Sequence, residues 1–382
     1  MKRQYNTIIL GGGVAGLVAA HRLRKRAPSS HTILLIDQNR DHLFPPSLLW
    51  MLTGNRQADG ITRPLTSLED KGIDFVQGKA THIDPEERSV IIDGETYRGD
   101  YLIVALGAGL YPEGIPGLSE GGETFYSLEG AQALQQQIAD FQRGKIVVLT
   151  AAPAYKCPAA PYEAAMLLRS HFAGNSSVSV EIHAAEPGPM GVTGPEVSGM
   201  VRNIVESQGI GYFPGQQVTE VDPGTKTLYF DTGETVNYDL LAYVPPHRAP
   251  TVLRESLLTD DNGWIPVDRH TMETDYTRVF APGDNNYVML EMGKPLPKAG
   301  TFATKQAEAV VETLLNDLRG EPGKGQFTGA GACFLETGNG RAGFGSGDFY
   351  HEPTPDVTLK SPSWFWRFGK VAFEKYWLWR WF

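Results

Sequence analysis

Residues 5–16 read Tyr5-Asn6-Thr7-Ile8-Ile9-Leu10-Gly11-Gly12-Gly13-Val14-Ala15-Gly16, and the reading of this stretch decides the fold. The run at 5–10 suits a buried strand, a helical pattern follows over 17–26, and a second apolar run at 31–37 ends on Asp37. Strand, glycine turn, helix and strand make one βαβ unit of about thirty residues. In Gly11-x-Gly13-x-x-Gly16 the first glycine permits the tight turn and the second admits a pyrophosphate to the backbone. The third lets the helix pack closely on the strand, and the helix N-terminus faces the phosphate charge. Asp37 stands where a carboxylate accepts ribose hydroxyls. A glycine turn alone is a weak signal; here strand, helix and carboxylate accompany it. Gly11, Gly13, Ala15, Gly16 and Asp37 are therefore candidate dinucleotide-binding residues.

Outward from this unit, residues 79–92 alternate as a β-meander, and 101–106 form another apolar strand ending at Gly107. The pattern then restarts, with a strand at 145–150, a helix at 162–172, a strand at 178–183, a helix at 196–207 and a hairpin at 227–238. This second nucleotide-type module is inserted into the first. The chain returns with a strand at 278–281, Pro282-Gly283-Asp284 and a helix at 301–318. Residues 320–331 read as a glycine-rich linker before a separate C-terminal region, and no fixed-period repeat is present.

The length of 382 residues fits two or three domains, and 41 % hydrophobic with 20 % charged residues marks a globular chain. A net charge of −10 argues against nucleic acid as a partner. Two cysteines, Cys157 and Cys333, exclude a disulfide scaffold, and no metal is called for. The apolar run at 7–10 is too short for a signal peptide, and no stretch reaches 18 uninterrupted apolar residues.

Asp100-Tyr101-Leu102-Ile103-Val104-Ala105-Leu106-Gly107 resembles the internal segment shared by flavoproteins with two dinucleotide-binding domains. Val279-Phe280-Ala281-Pro282-Gly283-Asp284 resembles their second FAD motif, whose aspartate holds the ribityl chain. The resemblance implies FAD, with Gly107, Gly283 and Asp284 among its contacts. It implies an α/β fold of two Rossmann-like, glutathione reductase-like domains plus a C-terminal amphipathic membrane-binding region. The expected division is 1–110 and 246–325 for the FAD-binding domain, 111–245 for the second Rossmann-like domain, and 326–382 for the C-terminal region.

In relatives that use NADH the second module carries its own glycine loop. Here the strand at 145–150 runs into Ala151-Ala152-Pro153-Ala154-Tyr155-Lys156-Cys157-Pro158, with no glycine and two residues lacking an N–H donor. Electrons are therefore not expected from NAD(P)H. Cys157 stands before a helix and beside Lys156, both of which lower a thiol pKa; the alternative is an inert buried cysteine.

At these residues the chain resembles the sulfide:quinone oxidoreductases over nearly its whole length. Cys157, in Cys-x-x-x-Pro-Tyr-Glu, and Cys333, in Cys-Phe-Leu-Glu, match that family's two redox cysteines. Phe44-Pro45-Pro46 matches a segment near the flavin, and Lys298 lies in a stretch resembling the one under the isoalloxazine. The resemblance implies oxidation of sulfide at a Cys157–Cys333 pair, with electrons passing through FAD to a membrane quinone. Cys333 is the sulfur nearer the flavin, Cys157 holds the growing sulfane chain, and Glu163 handles protons or simply complements the helix dipole. Two departures mark a two-cysteine subtype. Residues 117–131 lack the third cysteine that is covalently linked to flavin in some members, and the surroundings of His183 do not match the family's histidine.

Residues 364–382 hold five of the seven tryptophans. Arg367, Lys370 and Glu374 fall on one helical face, and the tail carries a local excess of basic residues. A helix lying in a membrane interface is expected, with Trp364, Trp366, Phe368, Phe373, Trp377, Trp379 and Trp381 facing lipid and the basic residues facing an anionic leaflet. A core or dimer helix is the alternative. The chain is thus expected to be a peripheral, monotopic membrane protein, and a homo-oligomer stays open. Three other functions stay open: the flavoprotein subunit of a flavocytochrome c sulfide dehydrogenase, a type II NADH:quinone dehydrogenase, and a membrane flavoprotein that senses thiols or sulfane sulfur.

Overall fold

Ile8, Ile9 and Leu10 have no exposed surface, because the strand that carries them lies inside a parallel sheet covered on both faces. The computed structural model describes residues 3–382. The first sheet runs in the order Asp74–Gln77, Ile33–Asp37, Gln4–Leu10, Glu95–Val104, Ser89–Ile92, Ala80–Asp84, and Val279–Phe280 joins it beside Glu95–Val104. The expected strand at 101–106 is the second half of a ten-residue strand. Its first half pairs antiparallel with Ser89–Ile92, and the strand runs parallel to Gln4–Leu10. The meander and the nucleotide-type sheet are therefore one surface.

The second sheet is wholly parallel, in the order Glu123–Thr124, Leu240–Val244, Gly144–Thr150, Val178–Ala184, Gly211–Pro214. Helix Ala160–His171 covers one face, and the hairpin strands Val218–Asp222, Thr227–Phe230 and Thr235–Asn237 cover the other. Helix Val14–Arg26 packs against the long helix Gly300–Arg319 in a shared core.

Two differences from the sequence reading stand out. The stretch at 320–331 is no free linker, since Phe327 is buried and its N–H donates to the His270 carbonyl at 2.7 Å. The C-terminal region also holds an antiparallel sheet, Ala330–Gly338, Arg341–Asp348 and Asp356–Ser363, ahead of helix Trp364–Trp381. Its glycine-rich middle strand hides the alternation that would mark it. Ser363 caps the final helix, accepting from the Trp366 N–H at 3.4 Å.

The glycine turn is the tightest point of the first module. Gly11 has φ +102°, and a Cβ on Gly16 would sit 1.8 Å from the Gly11 carbonyl oxygen. Gly16→Ala is therefore expected to yield protein with little bound flavin and a lowered melting temperature. Absorbance near 450 nm per chain and a thermal melt check this; a fully yellow variant would contradict the packing argument.

Candidate functional site

Gly13 is the N-cap of helix Val14–Arg26 and offers no side-chain cap, so the first-turn N–H groups are left for a ligand. A Cβ at Gly13 would meet nothing within 4 Å, so the loop is open on the side where a pyrophosphate would approach. The Asp37 carboxylate accepts from the Gly12 N–H at 2.6 Å and the Asn39 N–H at 2.7 Å. Burial nevertheless raises its pKa, and the carboxylate keeps lone pairs for hydroxyls. Across the cleft, Gly283 turns with φ +91° and Asp284 lines a cavity with Lys298, Phe302 and Gln306. Burial raises the Asp284 carboxyl, against the pull of Lys298 and Lys156. Asn285 is fully buried; its Oδ1 accepts from the Gly107 N–H at 3.1 Å, while its Nδ2 has no protein partner. An orphaned buried donor between Gly107 and Asp284 fits a ligand rich in acceptors. The cradle thus fits a dinucleotide at the expected residues.

Lys298 joins this cradle to the cysteine loop. Its Nζ donates to the carbonyls of Asp284 at 2.7 Å and Asn286 at 2.8 Å and lies 3.6 Å from the centre of the Trp264 ring. Burial pulls its pKa down to about 8. Its own carbonyl accepts from the Cys157 N–H at 2.7 Å. Cys157 has φ +51°, a left-handed conformation that costs a non-glycine residue about 1 kcal/mol or more. Three bonds hold it there: that N–H, and the Cys157 carbonyl accepting from the Ala160 N–H at 2.9 Å and the Tyr126 hydroxyl at 3.2 Å. The loop before it is tied to Glu186, whose carboxylate accepts from Thr150, Tyr155 and Tyr162 hydroxyls at 2.6, 2.5 and 2.7 Å. Glu186 lies just past the second strand of its sheet, as Asp37 ends the second strand of the first. The carboxylate at this position is met by the chain's own hydroxyls.

Both cysteines are free thiols. Glu163 and Lys370 influence both thiols, Glu163 from the helix that follows Cys157 and Lys370 from the final helix. Burial raises Cys157 well above its usual value, helped by Cys333 and Glu163 and opposed by Lys370 and the Ala160 N–H. Burial likewise pushes Cys333 up to about 11, with Glu163 adding and Lys370 opposing. Cys333 is an exposed residue, and its thiol donates to the Phe334 carbonyl at 3.3 Å. Glu163, itself buried, accepts at Oε1 from the Glu336 N–H at 2.6 Å and from Lys370 Nζ at 2.7 Å. Glu336 in turn takes the Trp50 indole N–H at 3.1 Å, and Arg367 Nε lies 2.9 Å from its Oε1. Further along the final helix, Glu374 is fully buried and meets Arg56 at 2.7 and 2.8 Å and the Ser47 hydroxyl at 2.6 Å.

The model of the pyridine nucleotide-disulphide oxidoreductases matches residues 5–307. The chain belongs to that family. It is 28 % identical to the sulfide-quinone reductase of Aquifex aeolicus over 98 % of this chain and 90 % of that one. It is 24 % identical to the mitochondrial sulfide:quinone oxidoreductase of mouse, over 92 % of this chain and 80 % of the relative. The X-ray structure of the Aquifex aeolicus sulfide:quinone oxidoreductase superposes with a TM-score of 0.88 at 25 % identity, covering 99 % of this chain and 91 % of that chain. FAD is the dinucleotide of this chain, as expected.

For this member of the family three expectations need correction. The helix start and Lys156 do not yield a low-pKa thiol at Cys157, because burial outweighs them; Lys156 is half-buried, and its Nζ reaches the Ala108 carbonyl at 3.4 Å. The basic residues of the tail do not all face outward: Lys370 is only 6 % exposed, and Arg367 pairs with a buried carboxylate. Trp377 and Trp381 are also buried in the core and cannot face lipid. Trp364, Phe368, Phe373 and Trp379 are exposed, and Trp366 is half-buried, stacked on Phe344 at 4.7 Å. Sequence reasoning missed Trp50, Arg56, Glu336 and Glu374 as partners. The available signal was a triad of charges on one face of an otherwise aromatic helix.

His42 was also missed, and it ties the tail to the glycine turn. Its Nδ1 lies 2.8 Å from the Gly12 carbonyl and its Nε2 3.1 Å from the Trp377 indole N–H. An indole only donates, so Nε2 accepts and Nδ1 carries the proton to Gly12. Burial lowers the His42 pKa to about 4, with the Gly12 bond opposing. The folded value lies below the unfolded one of about 6.5, so this stabilisation is complete above pH 6.5 and lost as pH falls toward 4. The loss is on the order of 3 kcal/mol. His42→Gln should flatten the fall of stability between these pH values by one proton, read from denaturant melts across the range. An unaltered slope would place His42 outside the titration.

Proposed function

We propose that the chain oxidises sulfide to sulfane sulfur at Cys157 and Cys333 and delivers the electrons to a quinone at a membrane surface. One observation carries the reading. Where a second glycine turn would hold a nicotinamide dinucleotide, a strained loop presents Cys157 beside a charge pair that it shares with Cys333. The hydroxyls gathered on Glu186 support sulfur rather than NADH as the electron source. The similarity to enzymes named for sulfide and quinone points the same way.

In the oxidised protein the two sulfurs form a bridge. HS⁻ attacks Cys157 Sγ, a new S–S bond forms to give a persulfide there, and the Cys157–Cys333 bond breaks with its electron pair leaving on Cys333 as thiolate. Burial penalises that thiolate, and the Lys370 ammonium opposes the penalty. Glu163 keeps Lys370 in place through Oε1, leaving its second oxygen as the atom able to hold a proton. FAD, when bound, supplies a two-electron couple between the sulfur pair and the quinone. Gly11, Gly13, Ala15, Gly16, Asp37, Gly107, Gly283, Asp284 and Lys298 are the residues assigned to holding it.

The final helix is assigned to the membrane interface. No described helix is long and apolar enough to cross a membrane. Trp364, Phe368 and Trp379 are 72 %, 67 % and 74 % exposed, a density of exposed aromatics that suits a headgroup layer. Their neighbours Trp377, Leu378 and Trp381 anchor the helix in the core, so deleting the helix would damage the body.

Cys157→Ser and Cys333→Ser should each keep FAD yet lose sulfide-dependent quinone reduction by roughly a hundredfold or more, and the double variant should be no worse than either. Steady-state assays with sulfide, and with NADH in its place, test this; full activity in either serine variant would overturn the scheme. Replacing Trp364, Phe368 and Trp379 by serine should weaken binding to phospholipid vesicles, by about tenfold per side chain, with unchanged FAD content. Sedimentation with vesicles reads the effect, and undiminished binding would move the membrane contact elsewhere.

A further inference from the structure

The final helix does more than present an aromatic face. Lys370 leaves this helix toward the protein interior and is 6 % exposed. Its Nζ lies 2.7 Å from Glu163 Oε1, on the helix that follows the Cys157 loop, and 3.8 Å from Glu336 Oε2, on the strand that carries Cys333. The Trp50 ring lies beneath, 5.2 Å from Nζ. Arg367 and Arg56 crowd the same indole at 4.6 Å each, Arg367 paired to Glu336 and Arg56 to Glu374. These, with the two thiols, are the titratable and charged groups around Lys370. It is therefore the cation that touches both the Cys157 and the Cys333 elements, and it comes from a third one.

We propose that Lys370 is a positioning residue through which the docked C-terminal helix sets the reactivity of the cysteine pair. This deepens the sulfide reading and rests on it. Acting through Glu163, Lys370 fixes the start of the helix behind Cys157. Its positive charge favours the thiolate at either sulfur, where burial and Glu163 disfavour it. Docking of the helix thus completes the electrostatics of the thiol site, and undocking withdraws the one ammonium that acts on both sulfurs. A helix that also faces a membrane surface would carry the state of that contact to the cysteines.

The test measures iodoacetamide alkylation of the reduced full-length holoprotein at a fixed pH near 8, with each cysteine followed by mass spectrometry. Three variants are compared: Lys370→Met, Lys370→Arg and Arg367→Met. Lys370→Met should slow alkylation of both cysteines by about tenfold, the change expected for one pKa unit. Lys370→Arg should restore most of the rate. Arg367→Met, which removes a tie between the same helix and Glu336 but no charge acting on the thiols, should leave the rates unchanged. Equal slowing in Lys370→Met and Arg367→Met would show docking alone at work and overturn the proposal, as would no slowing in any variant. Should Lys370→Met fail to fold, the double variant Lys370→Met/Glu163→Gln, which removes both charges together, is compared with Glu163→Gln alone. The double variant should alkylate both cysteines about tenfold more slowly than Glu163→Gln alone, since the two differ only in the Lys370 ammonium, and equal rates would overturn the proposal. The result is independent of turnover: loss of the sulfide reading in the serine variants would leave the alkylation comparison standing by itself.

Discussion

A single carboxylate oxygen, Glu163 Oε1, receives the Glu336 N–H and the Lys370 ammonium, and three parts of the chain distant in sequence or structure meet there. Glu163 belongs to the second module, Glu336 to the C-terminal sheet, and Lys370 to the final helix. Around Trp50 the group comprises three carboxylates, Glu163, Glu336 and Glu374, and three cations, Arg56, Arg367 and Lys370. Formal charges cancel. Taking such ions from water is costly, so the cluster adds little net stability, but breaking it leaves an unpaired buried charge, which costs about 3–5 kcal/mol. Its consequence is selectivity: one arrangement of the helix satisfies every charge, and a rotation or a slide does not.

That constraint explains the odd face of the final helix. An ordinary surface helix turns its apolar stripe inward and its charges to water. Here Lys370 and Glu374 are buried while Trp364, Phe365, Phe368 and Trp379 are exposed. Trp377, Leu378 and Trp381 are the apolar part that does pack inside, and Trp377 reaches the glycine turn through His42. One helix therefore bears on the dinucleotide cradle at one end and on the cysteines at the other.

The parts legible in the sequence are those whose constraints are local. The glycine turn could be read because Gly11 holds φ +102° and Gly16 excludes a Cβ through a contact with the Gly11 carbonyl in the same turn. The absence of glycine at 151–158, after the first strand of the second module, is likewise visible in the sequence itself. The pKa of Cys157 could not, because a helix start and a neighbouring lysine are visible locally while burial arises from the whole fold. Nor could the inward turn of Lys370, whose partners are 207 and 34 residues away in the chain. The C-terminal sheet was hidden for a different reason: Gly343, Gly345 and Gly347 occupy one side of its middle strand, so no apolar alternation is written there.

The two modules show how one architecture serves two chemistries. In a parallel α/β sheet the loops after the strands converge at one edge, whatever they carry. In the first module that edge offers bare N–H groups and a strand-end carboxylate, which suits a phosphate and a ribose. In the second module tyrosine and threonine hydroxyls satisfy the nearby carboxylate of Glu186, and the loop that needs no room for phosphate can bend to φ +51° at Cys157. The strain is tolerable because the Lys298 carbonyl, from the cradle of the first module, takes the Cys157 N–H. A nucleotide in the second module would compete with the hydroxyls for Glu186 and with Cys157 for space at the turn. Filling that site from within is thus what frees the strand edge to present a sulfur.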